Sequence, residues 1–66
     1  MDNKIIAALL AKYNAEIAEA EANVEVYMNN PAGIGEHPDI VAAVDTQISK
    51  IANAIDKIGA IRERYL

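Results

Sequence analysis

The sequence predicts an all-α protein, an antiparallel two-helix hairpin that resembles a coiled coil and assembles into a helical bundle. Apolar residues repeat with alternating steps of three and four in both halves of the chain, and a segment containing Pro and Gly separates the halves. The two patterns come into register when the chain folds back at about Ile34. The 66 residues then form one domain, with a helix over about 3–29, a turn over 30–37 and a helix over about 38–65.

The first predicted helix has a continuous apolar seam. Asp2 or Asn3 can cap its start, and neither Gly nor Pro interrupts it before residue 31. Its seam, which holds the heptad spacing over three repeats, consists of Ile6, Leu10, Tyr13, Ile17, Ala20, Val24 and Tyr27.

The segment between the helices contains the residues that end one helix and begin another. Pro31 cannot continue a helix, and Gly33 and Gly35 permit backbone angles that other residues avoid. Pro38 suits the first position of the second helix, which makes His37 the predicted N-cap.

The second predicted helix has a seam at matching spacing, formed by Val41, Val44, Ile48, Ile51, Ile55 and Ile58. Laid against the first seam, it pairs residues whose numbers sum to about 68, so that Tyr27 meets Val41 and Leu10 meets Ile58. In the same register Glu16 and Glu19 fall near Lys50, and Lys12 falls near Asp56.

Several apolar residues lie outside both seams, and a small scaffold without disulfide or metal usually needs a partner to bury them. The predicted oligomer interface therefore consists of Ile5, Leu9, Met28, Ile40, Ile61 and Leu66. Helix one also carries a stripe of small residues, Ala8, Ala11, Ala15, Ala18 and Ala22, explained either by helix propensity or by a close helix contact.

Composition argues against several functions. A net charge of −4 disfavours binding to nucleic acid or anionic lipid, and no apolar run approaches the length of a membrane span. The absence of Cys and the single His leave no evident metal or cofactor site. With no signal-peptide pattern at Met1–Asn14, we expect a soluble, intracellular protein.

No catalytic constellation is visible, so we expect a protein that is not an enzyme. Thr46 and Ser49 have no nearby His, and His37 beside Glu36 reads as a solvated turn residue. Gly33-Ile34-Gly35 ahead of a helix weakly suggests anion binding, but the neighbouring acidic residues oppose it. The acidic residues of helix one, Glu16, Glu19, Glu21 and Glu25, suit a solvated face or a basic partner.

The segment Asn30–Ile40, NPAGIGEHPDI, with Val24-Glu25-Val26-Tyr27 before it, resembles small uncharacterised helical proteins of T4-type tailed phages of marine cyanobacteria. The resemblance covers about residues 24–58. It implies a virus-encoded helical hairpin, located in the host cytoplasm or the virion, and it implies no known activity or functional residue.

These observations favour a non-enzymatic structural or interaction protein that forms a homo-oligomer, a dimer or larger. The alternative is an adaptor or inhibitor module that binds a different, unidentified protein through its Ala-rich and acidic helix face. A third hypothesis, a small enzyme or ligand carrier using the Gly33–Asp39 turn, lacks any catalytic set.

Overall fold

The computed structural model describes residues 3–29 and 39–66 and shows two α-helices, α1 over Lys4–Asn29 and α2 over Ile40–Tyr65. The helices lie along each other as an antiparallel pair, and each is about 39 Å long at 1.5 Å per residue. This arrangement confirms the predicted all-α hairpin. The predicted turn over 30–37 lies outside the described residues.

Each helix begins at a side chain that accepts a backbone N–H from its first turn. Asn3 Oδ1 accepts from the N–H of Ile6 at 3.0 Å, as predicted for the start of α1. Asp39 Oδ1 accepts from the N–H of Ala42 at 2.9 Å, so Asp39 is the N-cap of α2. The prediction of His37 as the cap is therefore wrong, because a carboxylate satisfies the free amides better than an imidazole does.

Replacing Asp39 with alanine should lower the free energy of unfolding by about 1 kcal/mol, because the N–H of Ala42 loses its acceptor. Asp45→Ala, which removes the same charge from an exposed position inside α2, is the matched control. Urea denaturation followed by circular dichroism measures both variants. Equal effects would show that charge, and not capping, determines the result.

The seam of α1 faces α2 as predicted. All seven seam residues are buried or half-buried, and Ala20, at 1 % exposure, is the most buried of them. Because Ala20 and Ala54 of α2 are both almost fully covered, the helices approach closely where their side chains are small.

The seam of α2 differs from the prediction. Val44, Ile51 and Ile58 are covered as expected, but Val41, Ile48 and Ile55 are exposed. The buried or half-buried positions that replace them in the seam are Ile40, Gln47, Ala54 and Ile61. At 100° per residue, this exchange corresponds to a rotation of α2 by roughly 50° about its own axis.

Two contacts between the helices fix their register. Lys57 Nζ lies 5.3 Å from the centre of the Tyr13 ring, a cation–π distance. Asn23 Nδ2 donates a hydrogen bond to Gln47 Oε1 at 3.1 Å. The pairs 13/57 and 23/47 each sum to 70, so the register lies two residues from the predicted 68.

Gly59 occupies an interior position of α2, where it weakens the helix. A Cβ atom built there meets no heavy atom within 4 Å. Gly59→Ala should therefore raise the free energy of unfolding by about 0.5–1 kcal/mol in dilute solution. Ala60→Gly, the adjacent exposed position, should lower it by a similar amount. Destabilisation by Gly59→Ala in thermal melts would contradict the open space around this position.

Candidate interaction surface

An apolar stripe on α2 points away from α1. Val41, Ile48 and Ile55, hereafter the α2 stripe, are 82 %, 49 % and 56 % exposed. Their spacing of seven places them nearly in line along the helix, and exposed Leu66, eleven residues beyond Ile55, lies close to the same line. Aliphatic side chains aligned at heptad spacing are typical of a helix that packs against a further helix.

The α2 stripe and the polar groove of the hairpin lie on opposite sides of the seam. From Ile51, in the seam, Ile48 is rotated by about 60° in one direction and Lys50 by about 100° in the other. Lys50 lines the groove, together with Glu16 and Glu19 of α1. One side of the hairpin is therefore charged along this groove, while the other exposes the aliphatic residues of α2.

The six residues predicted as an oligomer interface have different environments in the hairpin. Ile5, Met28 and Leu66 are exposed, and Leu9 and Ile40 are half-buried. Ile61 is only 7 % exposed, because the rotation of α2 brings it into the seam. The interpretation of Ile61 as an unpartnered surface residue is therefore wrong.

The interpretation of the α2 stripe as part of the hairpin core is also wrong. Sequence reasoning assigned Val41, Ile48 and Ile55 to the contact with α1, and so missed them as surface residues. The available signal was a third apolar heptad position, occupied by Ile40, Ala54 and Ile61, beside the two positions of the predicted seam. A helix with three apolar heptad positions has a face wider than one partner helix covers.

A polar pair lies within the contact between the helices. Gln47 is 7 % exposed, and the Asn23 amide that donates to it is half-buried. No buried side-chain nitrogen or oxygen lacks a hydrogen-bond partner in the described part of the chain. A polar residue at a seam position costs stability but favours one alignment of the helices. Periodicity analysis missed both residues because neither is apolar.

The charged groove is shallow and mixed in sign. It has a volume of about 260 Å³ and is lined by Glu16, Glu19, Lys50, Asn53, Ala54 and Lys57. This confirms the predicted proximity of Glu16 and Glu19 to Lys50. The volume lies below the roughly 300–1,000 Å³ of typical small-molecule sites, and both charge signs are present, so no ligand class is favoured.

The Ala stripe of α1 is exposed along its whole length, from Ala8 to Ala22. Helical geometry places it opposite the seam, on the side of α1 farthest from α2. The hairpin contact does not use these residues, so their small size plays no part in the approach of α2.

Two structural features relate to the expectations of no metal site and no membrane span. Residues 3–29 and 39–66 contain no group of three His, Cys, Asp or Glu side chains arranged to hold a metal ion. Within those same ranges, neither helix combines the length and apolar character needed to cross a bilayer.

Comparison with protein-family models, curated proteins and solved structures returned no match. The surfaces of the hairpin itself are therefore the guide to its function. Among them, the α2 stripe presents three exposed large aliphatic side chains at regular heptad spacing.

Proposed function

We propose that this chain is a non-enzymatic interaction protein that self-associates through the α2 stripe to form a helical bundle. The observation that supports the proposal is the exposure of Val41, Ile48 and Ile55 at heptad spacing on a helix whose adjacent face already contacts α1. A bundle helix commonly carries three apolar heptad positions, two facing one neighbour and one facing another.

The small core of the hairpin supports the same proposal. In the described part of the chain, no large side chain has an exposure below 2 %, and the most buried apolar residues are Ala20 and Ala54. Two helices of this length bury only one strip each, and scaffolds of this size usually require further contacts for stability. A second copy would cover the α2 stripe and raise the buried apolar area of both chains.

The expected affinity is modest. Full burial of a Val or Ile side chain contributes about 1.5–3 kcal/mol, so six stripe residues that each bury about half contribute roughly 5–9 kcal/mol. The loss of rigid-body freedom on association costs on the order of 4–15 kcal/mol. Because the burial gain barely offsets this cost, weak association is expected, and it should be measured up to a protein concentration of about 1 mM.

The testing experiment replaces two stripe residues and measures solution mass by sedimentation equilibrium. Ile48→Gln/Ile55→Gln should raise the dissociation constant at least about tenfold, because two apolar side chains per copy are lost while helix propensity is kept. Wild-type protein should melt at higher temperature as its concentration rises, and the double variant should lose that dependence.

The matched control places the same change on exposed aliphatic residues of α1. Ile5→Gln/Val26→Gln should leave the dissociation constant within about twofold, because neither residue belongs to the α2 stripe. A wild-type mass of 7.1 kDa at every concentration would refute self-association. Dissociation by the control and not by the stripe variant would place the interface on α1.

A second candidate is the adaptor or inhibitor module, supported by the exposure of the Ala stripe and by the acidic residues beside it. It requires the chain to remain monomeric and to bind a different protein with defined stoichiometry. The resemblance to phage proteins would place either function in an infected host cell or a virion.

A further inference from the structure

Two small residues lie beside the α2 stripe, on its flank away from α1. Ala52 and Gly59 each follow a member of the stripe by four residues, which is about 40° further around the helix at 100° per residue. With the stripe they form a line of alternating steps of four and three, all of it exposed in the hairpin. This line, hereafter the outer seam, consists of Val41, Asp45, Ile48, Ala52, Ile55, Gly59, Arg62 and Leu66.

The hairpin itself gives no reason for a glycine at position 59. A Cβ atom built on Gly59 meets no heavy atom within 4 Å, so neither helix of the same chain requires a bare backbone there. Glycine inside a helix costs stability relative to alanine, because it has more backbone freedom to lose on folding. A reason that remains is the close approach of another molecule, which a side chain would block.

The outer seam is complementary to itself in side-chain size. When two α2 helices run in opposite directions and level residues have numbers that sum to 107, Ile48 lies level with Gly59 of the second copy. In the same register Ile55 lies level with Ala52 of the second copy. Each of these levels holds one branched aliphatic and one small side chain, so the contact fills evenly. Helices in the same direction and in register would pair large with large and small with small, which alternates crowded and empty levels.

The ends of the outer seam agree with the same register. Asp45 lies level with Arg62 of the second copy, so the two charged members of the outer seam meet with opposite sign. Val41 and Leu66, which are 82 % and 74 % exposed in the hairpin, also lie level and cover each other. A shift of one heptad, to a sum of 100, would set Asp45 level with Ile55 of the second copy and bury a carboxylate against an apolar side chain.

We propose that Ala52 and Gly59 complete the self-association interface, Ala52 receiving Ile55 and Gly59 receiving Ile48 of the second copy. This inference rests on the proposed self-association through the α2 stripe and adds the residues that set how closely the second copy approaches. A two-fold axis relates the copies, so each of the two levels occurs twice in the interface. Loss of the fit should weaken association without unfolding the hairpin, because every member of the outer seam is exposed.

The proposed contact agrees with a bundle of four helices. Averaged over their members, the residues of α2 that face α1 and the residues of the outer seam lie about 100° apart around the helix axis. The two-fold axis then places both α1 helices on the same side of the paired α2 helices. Each helix has two neighbours in directions roughly at right angles, so the four helices enclose one core.

The first test enlarges a small residue and measures the dissociation constant by sedimentation equilibrium. Ala52→Ile should raise the dissociation constant at least about fivefold, because the added side chain occupies the space that Ile55 of the second copy needs. An aliphatic residue added to an apolar surface without this fit would strengthen association instead. A dissociation constant equal to or below that of the parent chain would therefore overturn the inference.

The second test exchanges the two sizes within one level. Ile55→Ala alone should raise the dissociation constant at least about fivefold. Ile55→Ala/Ala52→Ile again has one large and one small side chain at this level, and its dissociation constant should return to within about threefold of the parent value. A double variant no tighter than the weaker single variant would show that the two residues do not face each other. Ala60→Ile, exposed and off the outer seam, is the control and should cause less than about a twofold change.

Gly59→Ala separates association from folding. In dilute solution it should raise the melting temperature of the hairpin, since alanine favours the helix and its methyl group meets no neighbour. At concentrations that populate the dimer it should raise the dissociation constant at least about twofold, because the methyl group holds Ile48 of the second copy away. A gain in both stability and association would overturn the inference. A monomeric parent chain at every concentration would instead remove the proposed self-association, and this interface with it.

Discussion

Ile58→Ala is expected to lower the free energy of unfolding by about 2–5 kcal/mol, the cost of the lost aliphatic contacts and of the cavity that remains. Ile58 lies in the contact with α1 and is only 8 % exposed. A hairpin of this size has a total stability of the same order, so the variant should be largely unfolded at 25 °C in dilute solution. Circular dichroism at 222 nm during urea titration measures the change.

Ile55→Ala is the matched control, with the same atoms removed three residues away on the same helix. Because Ile55 is exposed in the hairpin, its loss should cost about 1 kcal/mol or less in dilute solution. At high protein concentration the Ile55 variant should instead show weaker association. Similar losses for both variants under dilute conditions would mean that α2 presents a different face to α1.

Ala20→Leu is the substitution with the second largest expected effect, a loss of about 1–3 kcal/mol from overpacking. Ala20 is almost fully covered, so an added isobutyl group must displace α2 or adopt a strained rotamer. Thermal and urea unfolding at low micromolar concentration measure the loss.

The control for Ala20→Leu is Ala22→Leu, two residues further along α1 and exposed. Alanine and leucine are both strong helix formers, so the control should stay within about 0.5 kcal/mol of the parent chain. If Ala22→Leu proves as damaging as Ala20→Leu, the Ala stripe must be covered in solution. That result would place a self-association interface on the Ala stripe of α1.

The sequence predicted the hairpin and the face of α1 because α1 has one continuous apolar seam and an acceptor at its start. It did not predict the face of α2. There, three heptad positions are apolar, and periodicity cannot decide which two of them face α1. The more apolar choice, with Ile48 and Ile55 inside, is not the observed one. In the observed structure the seam contains Ala54, whose small side chain lets the two helices pack closely. It also contains Gln47, which accepts a hydrogen bond from Asn23.

The start of α2 was misplaced for a related reason. Pro38 suits the first position of a helix, and that preference led to His37 as the cap. Asp39 is an equally strong local signal for a cap one residue after the proline. The preference of proline for the first helical position and the preference of aspartate for the N-cap are similar in energy. The folded structure decides between them, and the sequence alone does not.

The Asn23–Gln47 hydrogen bond also bears on how faithfully the chain folds. Sliding α2 by one heptad, about 10 Å, would again bring apolar seam positions together, so hydrophobic contacts discriminate poorly between the correct alignment and a slipped one. In a slipped hairpin the half-buried amide of Asn23 would lie level with Ile40 or Ala54, which have no side-chain acceptor, and would lose its partner Gln47. An amide buried without a partner costs about 1–3 kcal/mol, a penalty that applies only to the misaligned states. One pair of amides thus favours the correct alignment over the slipped alignments that the heptad repeat alone would tolerate.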